Sequence, residues 1–152
     1  MTLFCDTSAL LKLYILEQYT EQVRAQAELA QSIAVSRIAW ADAMAALARR
    51  ARESPRDAEK IETIRANLRS DWPGFVTVEV SQPLVELAGE YADAFALRGY
   101  DSVQLASAQT IHEVVDQPLC FACFDLLWLC FAFVCCVLLD IACLALFFLD
   151  LL

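Results

Sequence analysis

Leu3-Phe4-Cys5-Asp6 begins the chain's pattern with a short apolar run that ends on a carboxylate, and Thr7-Ser8-Ala9-Leu10-Leu11-Lys12-Leu13-Tyr14 follows with helical composition. An apolar run of this length without polar alternation reads as a strand covered on both faces. Leu119-Cys120-Phe121-Ala122-Cys123-Phe124 reads the same way and also ends on an acid, Asp125. Between these two strands, helical and strand patterns alternate. Strands alternating with helices predict an α/β fold, a three-layer α/β/α sandwich around a central, mainly parallel sheet. In such sheets ligands bind outside the carboxyl ends of the strands. Asp6 and Asp125 stand at those ends.

The intervening elements follow from caps and breakers. Helices are predicted over Ser8–Leu16 and Gln18–Gln31, with Thr7, Ser8 or Asp6 as the first cap. Ile33–Val35 is a brief strand, and Ser36 is placed to cap a helix running to Arg52, where Glu53-Ser54-Pro55 breaks it. Arg56–Asp71 reads as a charged helix and Phe75–Val80 as a strand. Pro83 suits the first turn of a helix that ends at Gly99. Asp101–Val115 is the last helix before the Leu119 strand, and Asp101 with Gln104 resembles a capping box.

Two further acids join Asp6 and Asp125. Asp101 follows the stop signal Arg98-Gly99-Tyr100, and Asp42 has Ile38, Ala39, Ala45 and Ala46 one turn away. The periodicity puts Asp42 well inside its helix and on the apolar side. A carboxylate facing a core is costly unless it is paired, hydrogen-bonded or bound to metal. Singly, Asp6, Asp101 and Asp125 each suit a cap. Four acids with few cations nearby in sequence predict one shared site for a hard divalent ion. Ser8 is a possible auxiliary hydroxyl. Arg49, two turns from Asp42, suits either a phosphate contact or an ion pair.

The formal net charge is −9 over 152 residues and is unevenly spread. Through Arg98 there are 14 acids against all 11 bases; the last 54 residues hold six acids and no Lys or Arg. Such acidity disfavours a general nucleic-acid binder, which presents a basic face. It leaves room for an RNA-cleaving enzyme whose site charge is offset by cations. Six of the seven cysteines fall at Cys120 or later, and the one histidine, His112, lies late in a helix and reads as solvated. Cys120 and Cys123, three apart on a strand, point to opposite faces, so a structural zinc site is disfavoured and buried thiols in a reducing cytoplasm are expected. No nucleophile–base pair is apparent, and Gly74, Gly89 and Gly99 form no phosphate loop. The carboxylate set suits metal-assisted phosphodiester hydrolysis.

Phe4-Cys5-Asp6-Thr7-Ser8-Ala9-Leu10-Leu11-Lys12-Leu13-Tyr14 resembles the opening of PIN-domain proteins, especially VapC-type toxins of bacterial toxin–antitoxin pairs. Ser36-Arg37-Ile38-Ala39-Trp40-Ala41-Asp42-Ala43 resembles the family's second-acid segment, and Leu97-Arg98-Gly99-Tyr100-Asp101-Ser102-Val103-Gln104-Leu105-Ala106 the third. Phe121-Ala122-Cys123-Phe124-Asp125 resembles the strand that carries the fourth. The resemblance implies an Mg²⁺-dependent endoribonuclease, with Mn²⁺ as a substitute, in which Asp6, Asp42, Asp101 and Asp125 are both metal ligands and catalytic groups. It also implies an RNA substrate, a cognate antitoxin that occupies the site, and a homodimer. The second acid is usually Glu in the family, so Asp42 is one methylene shorter. The competing readings are an inactive PIN-like module that binds a protein partner, and an α/β phosphatase with an aspartyl nucleophile. For the latter, Ser8 occupies the place of the expected second acid.

The chain is expected to form a single PIN-like domain over 1–152, with an anomalous stretch at 126–152. Leu126–Leu152 is almost wholly apolar apart from Asp140 and Asp150. Its uncharged part Leu126–Leu139 would make roughly 21 Å of helix, short of the ~30 Å hydrocarbon core. Asp140 within a longer span would cost roughly 3 kcal/mol, and no Lys or Arg flanks it, so a membrane span is disfavoured. A last α/β helix should show a polar face, and this stretch has none. The expectation is that 126–152 is not an authentic functional element. No basic leader precedes Asp6, and no signal peptide is expected.

Overall fold

The computed structural model of the chain describes residues 1–124 and 142–144. Its elements run β1 (Thr2–Cys5), α1 (Thr7–Lys12), α2 (Thr20–Leu29), β2 (Ser32–Ser36), α3 (Ala39–Glu53), α4 (Ala58–Asp71), β3 (Val76–Val78), α5 (Gln82–Phe95), α6 (Gly99–His112), β4 (Leu119–Ala122) and β5 (Ala142–Leu144). The strands form one parallel sheet in the order β3-β2-β1-β4-β5. Successive strands therefore build outward from β1 to one edge, and the chain then returns to build the other side from β4. This reversal puts a topological switch point between β1 and β4, where the crevice of a parallel sheet opens. Asp6 and Phe124 lie just past the carboxyl ends of those two strands.

Alternation along the strands explains the three layers. Leu3, Cys5, Val35, Cys120 and Ala122 face one cluster, which α1, α3 and α4 complete through Leu10, Ala43 and Leu68. Phe4, Ala34, Phe121 and Cys123 face the other, completed by Leu105, Ala108 and Ile111 of α6. Phe4 and Phe121 are paired in register on adjacent strands and stack with ring centroids 5.6 Å apart. Both strands are buried at every position. Cys120 and Cys123 thus lie in separate clusters, and Cys5, Cys120 and Cys123 are buried and not joined by disulfides. In α3 the buried Ala39, Ala43 and Leu47 recur every four residues in one narrow stripe, whose two alanines pack with the strand residues and whose leucine packs with Ile15 and Ile61.

The helix starts differ from the sequence expectations in ways that matter to the site. Asp6 itself caps α1, accepting from the Ala9 amide, so neither Thr7 nor Ser8 is the cap. That helix ends at Lys12 rather than Leu16. Ser36 does not cap α3; it finishes β2, and its hydroxyl is bonded to that of Ser107. Because α3 begins at Ala39, Asp42 lies in its first turn rather than deep within it. A carboxylate there is favoured by the unsatisfied amides and helix dipole. Arg98 takes the cap position of α6, so Asp101 belongs to that helix's first turn. The expected Asp101–Gln104 box does not form, since Gln104 reaches instead to the Thr7 hydroxyl at 3.1 Å.

Asp125 and most of 126–152 lie outside the described residues. Within that stretch, Ala142–Leu144 pairs with β4 as the edge strand. Among the described residues, no helix is long and apolar enough to cross a membrane.

Candidate metal-binding cleft

Asp6 is set by both strands of the switch point. Its amide donates to the Ala122 carbonyl at 3.1 Å, which ties the end of β1 to β4. Its carboxylate Oδ1 accepts from the Ser8 hydroxyl and from the Ala9 amide, each at 2.7 Å, and the Cys123 thiol is a further hydrogen-bond partner. Only 7% of the residue is exposed. Burial pushes the carboxyl up to about 6, against the opposing pull of the Cys123, Ala9 and Ser8 donors; repulsion from Asp101 adds to the rise. Asp6 and Asp101 therefore share one electrostatic neighbourhood although they are far apart in sequence.

Ser8 does more than donate to Asp6. Its Oγ also accepts from the Phe124 amide at 2.8 Å, so one hydroxyl links the first carboxylate to the residue before Asp125. Phe124 is held from two further directions. The Lys12 ammonium lies 5.2 Å from its ring centroid, and Tyr19 stacks on it with centroids 5.7 Å apart. Tyr19 adopts a left-handed backbone at φ 69°, a costly conformation for a residue with a side chain. Lys12 is only 8% exposed, and its Nζ donates to Glu17 Oε1 at 2.8 Å and to the Gln18 carbonyl at 3.0 Å.

Past these strand ends opens a cleft of ≈ 600 Å³. Asp42 and Asp101 both line it, as do Thr7, Ser8 and Phe124. Both acids are half-buried. The structure thus brings Asp6, Asp42, Asp101 and Ser8 to one region. It also brings four cations to the cleft, Lys12, Arg49, Arg50 and Arg98, of which sequence spacing singles out Arg49 alone. Glu17 engages two of them, Lys12 at 2.8 Å and Arg50 at 3.5 Å. Among the described residues, Arg49 and Arg98 form no ion pair.

The donor chemistry suits a hard divalent ion: carboxylate oxygens from three elements, with a serine hydroxyl beside them. Among the described residues, no three acidic, cysteine or histidine side chains stand close enough to hold a metal by themselves. The fourth acid of the sequence pattern, Asp125, lies outside them. His112 is remote from the cleft lining, and it is half-buried rather than solvated, its Nδ1 buried without a hydrogen bond among the described residues. Sequence reasoning missed Glu17, Tyr19 and the clamping role of Lys12. The available signal was Lys12 itself, a lone cation inside Ala9-Leu10-Leu11-Lys12-Leu13.

The sequence profile of the PIN domain matches residues 3–115. Ribonuclease VapC45 of Mycobacterium tuberculosis (strain CDC 1551 / Oshkosh) is 30% identical over 110 residues, which span 72% of this chain and 76% of that protein. Among solved structures, FitAcB from Neisseria gonorrhoeae superposes with a TM-score of 0.62 at 15% identity, covering 93% of this chain and 95% of that one. A toxin–antitoxin complex from Klebsiella pneumoniae gives a TM-score of 0.53 at 23% identity, covering 79% and 84%.

Proposed function

Since this chain belongs to the PIN domain family, we propose that it is an Mg²⁺-dependent endoribonuclease, the toxin of a toxin–antitoxin pair. The observation that carries this reading is the cleft past the β1–β4 switch point, lined by Asp42, Asp101 and Ser8 together with cations, beside a buried Asp6 carboxylate that is bonded to Ser8 and repelled by Asp101. Similarity to a protein named as a ribonuclease, over nearly three quarters of the chain, supports the reaction class.

Asp6, Asp101 and Asp42 would hold the principal Mg²⁺ or Mn²⁺, with Asp125 completing the acidic pocket. When bound, the ion supplies a hydroxide-like nucleophile at neutral pH and offsets charge on the leaving oxygen. The chain's own residues do the rest. Ser8 and the Ala9 amide keep the Asp6 carboxylate in one orientation, so its free lone pairs stay directed. The Phe124 clamp fixes where the chain leaves β4 toward Asp125. The cleft cations offset the repulsion between a polyanionic strand and an acidic site.

The expected partners are RNA, a cognate antitoxin that inserts a basic side chain toward the acids, and a second copy of this chain. Mg²⁺-dependent cleavage of single-stranded RNA by the purified chain, abolished by EDTA and suppressed by the co-expressed neighbouring gene product, is the expected result. No cleavage with any divalent ion, together with tight binding of that partner, would leave a protein-binding PIN module as the better description.

A further inference from the structure

Arg49 and Arg98 stand apart from the other charged residues of the cleft. Lys12 and Arg50 are committed to Glu17, and Lys12 also to the Gln18 carbonyl. Among the described residues, that leaves two arginines, Arg49 and Arg98, without ion pairs in the cleft that Asp42 and Asp101 also line. Arg49 follows Asp42 by seven residues on α3, two turns along the same side, and Arg98 immediately precedes the first turn of α6 that carries Asp101. Each acid thus has an exposed guanidinium about one or two turns away on its own element. Between Arg98 and Asp101, Tyr100 also lines the cleft, and its side chain is 54% exposed. A large aromatic left in water beside unpaired guanidinium groups is the pairing that single-stranded nucleic acid binds, by base stacking and by phosphate contacts.

We propose that Arg49 and Arg98 grip backbone phosphates of a single-stranded RNA on either side of the bond that the acids face, while Tyr100 stacks on an unpaired base. This rests on the ribonuclease reading and adds to it how the strand is held. A divalent ion neutralising the carboxylates would leave the two arginines as the cleft's net charge, which explains how an acidic chain attracts a polyanion locally. Duplex RNA buries its base faces and offers Tyr100 nothing to stack on. The site therefore selects unpaired segments.

The test uses full-length chain carrying Asp101→Asn, which suppresses cleavage, in Mg²⁺, with a fluorescein-labelled single-stranded RNA titrated over a range of salt. Arg49→Gln and Arg98→Gln should each weaken binding roughly fivefold to tenfold and lower the salt slope by about 0.7 per lost phosphate contact. Tyr100→Ala should weaken binding and abolish quenching of a 2-aminopurine placed in the strand, and Tyr100→Phe should restore both. Lys60→Gln, outside the cleft, should change nothing. Unaltered affinity and salt slope in both arginine variants would overturn the proposal, as would weakened antitoxin binding with RNA binding intact. The two readings separate cleanly. Robust cleavage with indifferent arginines refutes the grip and spares the nuclease, while arginine-dependent binding without cleavage in any metal does the reverse.

Discussion

The strand-end side of the cleft and its helical rim are built on opposite principles. On the strand-end side, Asp6, Ser8, Lys12 and Phe124 are held by hydrogen bonds, an ion pair and ring contacts, in surroundings mostly closed to water. On the rim, Asp42 and Asp101 are half-buried, while Arg49, Arg98 and Tyr100 are exposed. The first side is preorganised: little reordering entropy remains to be lost when a ligand arrives. The second keeps long side chains free to adapt, and each must lose rotamer freedom on contact. Under the proposed ribonuclease function, a site that places a metal accurately and accepts varied RNA would gain from that division.

The largest effect should come from removing a ligand on either side. Asp6→Asn or Asp101→Asn should lower metal-dependent RNA cleavage by more than about 100-fold, since even outer contacts to a metal site are worth ~10–100-fold. Circular dichroism should show an unchanged fold, because Asn caps α1 as well as Asp does and Asn matches the shape of the half-buried Asp101. Wild-type cleavage by either variant would remove the four-carboxylate site from consideration.

Ser8→Ala sharpens the comparison, because it leaves every acid in place. The Phe124 amide loses its acceptor and Asp6 loses a donor, at an expected cost of about 1–3 kcal/mol in urea unfolding. Cleavage should fall roughly tenfold or more through displaced ligands, and Ser8→Thr should recover most of it. If Ser8→Ala cleaves normally, the link between the two strand ends is not needed for chemistry.

Asp6 also makes stability depend on pH. Its folded carboxyl titrates at about 6 against an ordinary value of 3.8, so the folded state binds this proton more tightly than the unfolded chain. The contribution is fully present below pH 3.8 and is lost as pH rises through about 6. A shift of that size corresponds to about 3 kcal/mol at most. Metal-free wild type should therefore lose stability relative to Asp6→Asn between pH 4 and 7.5, roughly the span of that titration. Adding Mg²⁺ or Mn²⁺ at the higher pH should close the gap, since the ion favours the ionised carboxyl. A gap independent of pH would mean that the carboxyl is not raised.

The smallest of these effects is at Lys12. Lys12→Met keeps the buried stem but loses the Glu17 ion pair, the Gln18 bond and the contact with the Phe124 ring. Because Glu17 is exposed, a loss on the order of 1–2 kcal/mol in thermal unfolding is expected. No loss at all would show that Tyr19 and Ser8 suffice to hold Phe124.

Asp6 and the strand before it were legible because a buried parallel strand needs an unbroken apolar run, and a carboxylate at its end interrupts that run visibly. The helix starts at Asp42 and Asp101 were less so. Ser36 looks like a cap, yet as part of β2 its hydroxyl is taken by Ser107, and the helix waits until Ala39. Propensity marks a capable residue, while tertiary contacts choose whether it caps or pairs across the core. Likewise the Asp101–Gln104 spacing fits a box, but Gln104 is turned inward to Thr7, 97 residues away in sequence.

By itself the sequence determined the alternation of strands and helices, the burial of the thiols on two faces, and the apolar run that ends on Asp6. Those properties follow from periodicity and from the cost of burying charge, both of which are local. Only the tertiary structure decided which other cations join Arg49 at the cleft and which form no ion pair among the described residues. Lys12 and Arg50 meet one carboxylate, Glu17, while Arg49 and Arg98 come from elements 49 residues apart to the same opening. Coulomb attraction depends on distance in space, and the strand order at β1 and β4, rather than any spacing along the chain, sets that distance.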